Sequence, residues 1–234
     1  MIMRKITRYI PNTITSLNLL SGCIAIVLAP SNPMWAFAAI GAGAVLDFFD
    51  GFAARLLKAY SPIGKDLDSL ADVVTFGVAP SILLFYRLQE MAPNGGWLSM
   101  LPWAAFLLAV FSALRLAIFN NDERQSQSFI GLPTPANGFF WGALSVLSVD
   151  SSLETVYFWG AVALVPVFSW LLVSNIEMFS LKIKSFGWKG NEIRCLFLIS
   201  ALFLCVLFML RGVVLTILLY IILSVFSQKK QEQV

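Results

Sequence analysis

Residues 45–80, VLDFFDGFAARLLKAYSPIGKDLDSLADVVTFGVAP, set the acids Asp47, Asp50, Asp68 and Asp72 into sequence that is largely apolar or small. On a helix, Asp47 and Asp50 are three apart and share a face, and so do Asp68 and Asp72, four apart on the next helix. The proline and short polar residues of KAYSP at 58–62 suit a turn, so the two helices are expected to run antiparallel as close neighbours with all four carboxylates converging. An ionised carboxylate at membrane depth costs at least about 2.5 kcal/mol, so each acid needs a partner. Close carboxylates repel one another, and divalent cations are the economical counter-charge. Oxygen-only ligation without histidine or cysteine selects Mg²⁺, Mn²⁺ or Ca²⁺ over Zn²⁺. Gly51, Ala54 and Gly64 leave the acidic groove without bulk, so a flat or extended ligand reaches the backbone there. For each taken singly, close helix packing explains the small residue equally well. Solvated helix ends would not place two acid pairs in helical register on successive helices.

Outward from this segment the chain is uniformly apolar. Of 234 residues, 59% are hydrophobic and 12% charged, about half the charge of a soluble domain, so its surface belongs in a bilayer. Crossing about 30 Å of hydrocarbon takes roughly 20 helical residues. The hydropathy predicts an all-α polytopic transmembrane bundle of eight spans near 14–29, 33–57, 63–86, 98–119, 135–149, 154–173, 193–210 and 212–228. Arg4, Lys5 and Arg8 precede the first span as in a secretory leader, but its Gly22-to-Pro30 end runs straight into more membrane, so the span is expected to be retained. Residues 1–10, with Ile2, Ile6, Tyr9 and Ile10 between the bases, suit either a short helix on anionic headgroups or a disordered basic start.

Laid alternately across the bilayer, the spans put Arg4, Lys5, Arg8, Arg55, Lys58, Lys65, Arg124, Lys182, Lys184, Lys189, Arg194, Lys229 and Lys230 on the side of both termini. Only Arg87 and Arg211 fall opposite, and Arg115 lies inside a span. A thirteen-to-two split predicts cytoplasmic termini and a cytoplasmic acid cluster in a multi-pass protein of the cell inner membrane. The net charge of +3 then follows from topology and suits anionic phospholipid; it gives no support to nucleic-acid binding. Cys23, Cys195 and Cys205 lack paired spacing and are expected to be small buried hydrophobes. With no histidine in the chain, proton transfer falls to a carboxylate, lysine, tyrosine or cysteine.

Written as a pattern, the acidic segment is D-x2-D-G-x2-A-R-x8-G-x3-D-x3-D, filled by Asp47, Asp50, Gly51, Ala54, Arg55, Gly64, Asp68 and Asp72. It resembles the signature of the CDP-alcohol phosphotransferase family at every defining position. Within that family SPIGKDLDSLADVVTFGVAP (61–80), ALRLAIFN (113–120), GLPTPANG (131–138) and VSNIEMFSLKIK (173–184) are similar to segments of the bacterial phosphatidylserine synthases. Ser69 stands where phosphatidylglycerophosphate synthases usually carry proline, and Ile118 where an arginine is expected. The resemblance covers residues 11–184, a six-helix core. It leaves 1–10 as a basic interfacial segment and 185–234 as two additional helices with a short basic tail, suited to packing or homodimer contacts.

The resemblance implies attack by an alcohol on the lipid-linked phosphorus of CDP-diacylglycerol, with release of CMP. Asp47, Asp50 and Asp68 are implied as ligands of Mg²⁺ or Mn²⁺. Asp72 is the expected general base, with its other oxygen on the metal site; a covalent phosphatidyl-aspartate is the alternative to direct attack. Asn12, Thr15 and Asn18 are similar to a polar pattern that borders the nucleotide, although capping by Asn12 or Thr13 would also explain such residues. Arg55 is placed to hold a carboxylate or phosphate, or to act as an interfacial anchor. Arg115 needs a partner in the diphosphate, the acceptor's carboxylate or a motif acid. Gly51, Ala54, Gly64, Lys65, Ser69 and Asn120 complete the expected substrate-binding set. A phosphorylated acceptor, glycerol 3-phosphate or an inositol phosphate, would want a basic cluster where Arg115 stands nearly alone, which favours L-serine. A cation transporter would spread its acids through the bilayer depth and show an inverted repeat, and neither is present in the sequence.

Overall fold

The computed structural model describes residues 2–59, 61–93, 95–122, 129–178 and 192–231. Its helices are α1 (Ile2–Leu28), α2 (Pro33–Leu56), α3 (Pro62–Asp72), α4 (Ala79–Met91), α5 (Phe106–Asn121), α6 (Thr134–Val146), α7 (Glu154–Val173), α8 (Glu192–Phe208) and α9 (Leu210–Gln231). A π-helical turn, Val73–Val78, joins α3 to α4, and a 3₁₀ segment, Trp97–Ala105, leads into α5. Among the described residues five helical stretches are long and apolar enough to cross a membrane, and the all-α membrane bundle expected from hydropathy is the architecture observed. The expected fifth span is shorter than the rest. At 13 residues, α6 is about 20 Å long, and its aromatic residues Phe140 and Trp141 are buried in the core beside Phe168.

Burial along α1 falls on Pro11, Thr15, Asn18 and Gly22, and continues through Ala25 to Ala29. Along α2 it falls on Ala36, Ile40, Gly43 and Asp50, with Asp47 and Ala54 half-buried in the same register. Both are the alternating three-and-four spacing of a helix seam, and these two helices form the most extensive packing in the molecule. The acids of α2 therefore continue its packing stripe. Cys23 lies off the stripe and is exposed, and Cys195 and Cys205 are only half-buried, so the cysteines are not the buried hydrophobes expected of them. Nor does Asn12 or Thr13 cap a helix: α1 runs unbroken through Pro11, and the Thr13 and Thr15 hydroxyls donate back to the carbonyls of Tyr9 and Pro11 at 2.9 and 3.0 Å.

The turn between α2 and α3 follows from its residues. Lys58 adopts φ 50°, the Ser61 hydroxyl accepts from the Gly64 N–H at 3.0 Å, and Pro62 opens the helix without a donor to waste. However, α2 and α3 do not pack chiefly on each other as expected. Each finds its main partner in α1, so the two acid pairs meet over the polar stripe of α1.

Downstream of Asp72, Pro80 has no N–H to offer the Phe76 carbonyl. The chain answers with the π turn, in which the Ala79 N–H donates to the Val74 carbonyl. The freed Phe76 carbonyl lies where a side chain on Gly138 would stand, 2.8 Å from that Cβ position. The turn also swings Thr75 into α1, where its hydroxyl donates to the Asn18 carbonyl at 3.0 Å. Gly22 and Gly43 make that approach possible. A Cβ at 43 would sit 2.5 Å from Thr75 Cγ2 and 2.9 Å from Asn18 Oδ1, whereas one at 41 meets nothing within 4 Å. Gly43→Ala is expected to cost about 1–3 kcal/mol by overpacking. Its melting temperature in detergent should fall by several degrees, while Gly41→Ala melts like the parent protein; equal melting of the two would show that the helices part freely.

Candidate active site

Asp47 and Asp50 lie one turn apart on α2, and Asp68 and Asp72 one turn apart on α3. Carboxylate oxygens of Asp47, Asp50 and Asp68 lie within 4.8 Å of one another, and Asp72 stands beside Asp47 and Asp68. Thr15 borders Asp50, and Asn18 Nδ2 donates to Asp72 Oδ1 at 3.4 Å. Asp50 is 6% exposed and Asp72 9%. Among the described residues, no lysine or arginine forms a salt bridge with these acids, and buried oxygens of Asp50 and Asp68 lack any hydrogen-bond partner. Crowded, buried carboxylate oxygens without donors fit a divalent cation, and an all-oxygen set suits a hard one.

Around the acids the expected residues divide. Asn12 packs on α3, its Oδ1 lying 2.9 Å from the Cβ position of Gly64, so Gly64 serves close approach. Gly51 has only the Arg55 guanidinium near its Cβ position, at 3.9 Å, so close helix packing does not account for the glycine there. Arg55 is exposed and donates through Nε to the Gly51 carbonyl at 2.9 Å, so it folds along its own helix. Ala54 is half-buried near the end of α2, where its carbonyl accepts from the Ala59 N–H at 3.0 Å. Lys65 Nζ donates to the Asn120 carbonyl at 2.8 Å, and Asn120 Nδ2 donates to the Ser69 hydroxyl at 2.8 Å. These bonds tie α3 to the end of α5. Lys182, Lys184, Lys189 and Arg124 lie outside the described residues.

Arg115 is 6% exposed. Its Nη1 donates to the Thr134 hydroxyl at 3.2 Å, its guanidinium carbon lies 5.3 Å from the centre of the Phe119 ring, and its Nε has no partner. Its charge acts on Asp72 and on the phenol of Tyr220. Thr134 is held there by a clip. Gly131, at φ 77°, sits against the Leu172 carbonyl, and Phe129–Ile130 pairs antiparallel with Glu177–Met178. Thr75, Thr134 and Tyr220 went unnoticed in the sequence. Thr75 alone carried a signal, being a polar residue three beyond Asp72 on the acid-bearing face.

The model of the CDP-alcohol phosphatidyltransferase family matches residues 8–167. Curated relatives carry the name CDP-diacylglycerol–serine O-phosphatidyltransferase. The Bacillus subtilis protein is 43% identical over 56% of this chain and 71% of its own length. The Mycobacterium leprae protein is 39% identical over 60% of this chain, which spans about half of it, 46%. The Methanocaldococcus jannaschii protein is 30% identical over 88% of this chain and 92% of its own length. A family match over most of the chain, with all four signature aspartates drawn to one place in the fold, means that this protein belongs to the CDP-alcohol phosphatidyltransferase family.

Proposed function

We propose that this membrane enzyme transfers the phosphatidyl group of CDP-diacylglycerol to the hydroxyl of L-serine and releases CMP. The observation that carries the reading is the convergence of Asp47, Asp50 and Asp68 within 4.8 Å, with Asp72 beside them, in a chain whose curated relatives are named for this reaction. Asp47, Asp50 and Asp68 hold Mg²⁺ or Mn²⁺, and Asp72 borders it. When bound, the ion supplies positive charge against the diphosphate and the departing phosphate oxygen. Thr15 and Asn18 fix Asp50 and Asp72, and the open Gly51 backbone admits the nucleotide. Asp72 takes the serine hydroxyl proton as the serine oxygen bonds to the lipid-linked phosphorus. The bond from that phosphorus to the bridging oxygen breaks, and CMP leaves with the electron pair. Arg115 receives the carboxylate of serine. Acids confined to one two-helix unit do not make a transport path, and a lone buried arginine does not suit a phosphorylated acceptor.

The thirteen-to-two distribution of basic residues supports a multi-pass protein of the cell inner membrane with termini and acid cluster cytoplasmic. Residues 11–184 serve as the catalytic core in this reading, preceded by the interfacial segment 1–10, and 185–234 add two helices. Leu196, Ile199, Phe203 and Val206 form an exposed apolar seam on α8 that supports a homodimer. Serine-dependent CMP release is expected to vanish in excess EDTA and return with Mg²⁺ or Mn²⁺; full turnover under chelation would exclude metal assistance. Arg115→Ala is expected to raise the KM for serine at least tenfold, about 1.4 kcal/mol, and unchanged kinetics would make the arginine structural.

A further inference from the structure

The family match ends at residue 167, and the residues placed in the reaction, Thr15 to Arg115, all lie within it. The last helix, α9, nonetheless carries a polar residue that packing alone does not call for. Its buried positions, among the residues described, are Gly212, Tyr220 and Ser224. Gly212 belongs to the α8–α9 hairpin, where it lies against the Leu204 carbonyl. Ser224 is satisfied locally, its hydroxyl donating to the Tyr220 carbonyl at 2.8 Å. Tyr220 is different. It is 6% exposed, its ring lies 5.7 Å from that of Phe197, and it joins Phe140 and Trp141 of α6 in one buried cluster. Phenylalanine would suit that cluster equally well and would bring no polar oxygen into the bundle, where burying one is costly unless it has a partner.

The phenol interacts with the Arg115 guanidinium as well as with the Ser224 hydroxyl. Arg115, equally buried, is also held by the Thr134 hydroxyl at 3.2 Å and by the Phe119 ring. Thr134 opens α6, and α9 packs on α6 and on Glu177–Met178 of the clip that sets Thr134 in place. Thr134 and Tyr220 therefore reach the guanidinium from two helices packed on each other. Among the described residues no acid forms a salt bridge with Arg115. A phenol oxygen is the negative end of a dipole, which steadies a cation without neutralising it and leaves its positive charge for an incoming carboxylate. A carboxylate at position 220 would form an ion pair with Arg115 and consume that charge. We propose that Tyr220 is a positioning residue whose hydroxyl, from a helix outside the catalytic core, orients the Arg115 guanidinium to receive the acceptor's carboxylate. The helix α9 is thereby part of the acceptor site as well as a packing element. The inference rests on the serine-transfer reading and adds to it one residue and one helix.

A residue that acts through Arg115 must show its loss in acceptor binding, and the loss must vanish once Arg115 is gone. The test uses the full chain in lipid nanodiscs, with saturating CDP-diacylglycerol and Mn²⁺. Tyr220→Phe keeps the ring and its packing on Phe197 and removes only the hydroxyl. It is expected to raise the KM for L-serine about five- to tenfold, while kcat and the KM for CDP-diacylglycerol stay within about twofold of wild type. Leu219→Ala, a truncation one residue away on the same helix, should lower the melting temperature and leave the serine KM unchanged. In an Arg115→Ala background, Tyr220→Phe should raise the serine KM by less than about twofold further, because the two substitutions remove one shared interaction. An unchanged serine KM in Tyr220→Phe would overturn the proposal. So would full multiplication of the two effects in the double variant, or an equal rise in serine KM from Leu219→Ala. Absence of serine-dependent CMP release from the wild type is a different result; it would remove the serine-transfer reading itself and the positioning role with it.

Discussion

Asp72→Asn is expected to bind CDP-diacylglycerol in the presence of metal nearly as well as the parent protein, while its turnover with serine falls by about 10²–10⁴, the usual worth of general base catalysis. Asparagine keeps the size of the side chain and one carbonyl oxygen, but it cannot take the hydroxyl proton. The surroundings of Asp72 make the substitution a clean one. The residue is buried against α1, and its contact with Asn18 at 3.4 Å can be kept by the amide oxygen. The comparison needs a binding assay beside a rate assay. Near-normal turnover, or a defect confined to metal affinity, would make Asp72 a fourth ligand only.

Asp47→Asn should fail differently. Asp47 interacts with both acids of the α3 pair and shares α2 with Asp50, so its charge is central to cation binding. Metal and nucleotide binding are expected to be lost together, with only part of the loss restored at high Mn²⁺, because an amide is a neutral and weaker ligand for a hard ion. Isothermal titration of Mn²⁺ with and without a soluble cytidine diphosphate ligand would read both losses. Retained metal affinity alongside lost turnover would move Asp47 from the ligand set to the proton-transfer step.

Much of this arrangement was legible from residue spacing. Periodicity placed Asp47 with Asp50 and Asp68 with Asp72, because a helix in a bilayer satisfies its own backbone and leaves only the side-chain register to be read. Hydropathy located five of the eight expected spans as helices long and apolar enough to cross a membrane, whereas the helices described near 135–149, 193–210 and 212–228 are shorter apolar ones. What spacing could not carry was the three-dimensional partnering. The acid pairs were expected on two neighbouring helices, yet α1 lies against both, and that depends on Gly22 and Gly43 admitting Thr75. The π turn after Asp72 arises from the missing N–H of Pro80, a residue that reads in sequence as an ordinary helix start. Gly51 and Gly64, alike in the signature, have different surroundings, one open and one filled by Asn12. Arg115 was found because a buried charge stands out in apolar sequence, whereas Thr134 and Tyr220 come from later segments whose approach to Arg115 no local pattern reveals.

The most direct measurement is product formation by the purified protein given CDP-diacylglycerol, Mn²⁺ and one alcohol at a time. CMP release and the lipid product would be followed together for L-serine, glycerol 3-phosphate and an inositol phosphate. The account predicts equal amounts of CMP and phosphatidylserine with L-serine, little with the phosphorylated alcohols, and none with any acceptor once Asp47 and Asp72 are both asparagine. Preferential transfer to a phosphorylated alcohol would contradict the assignment of the acceptor, and phosphatidylserine formation by the doubly substituted protein would contradict the assignment of the site.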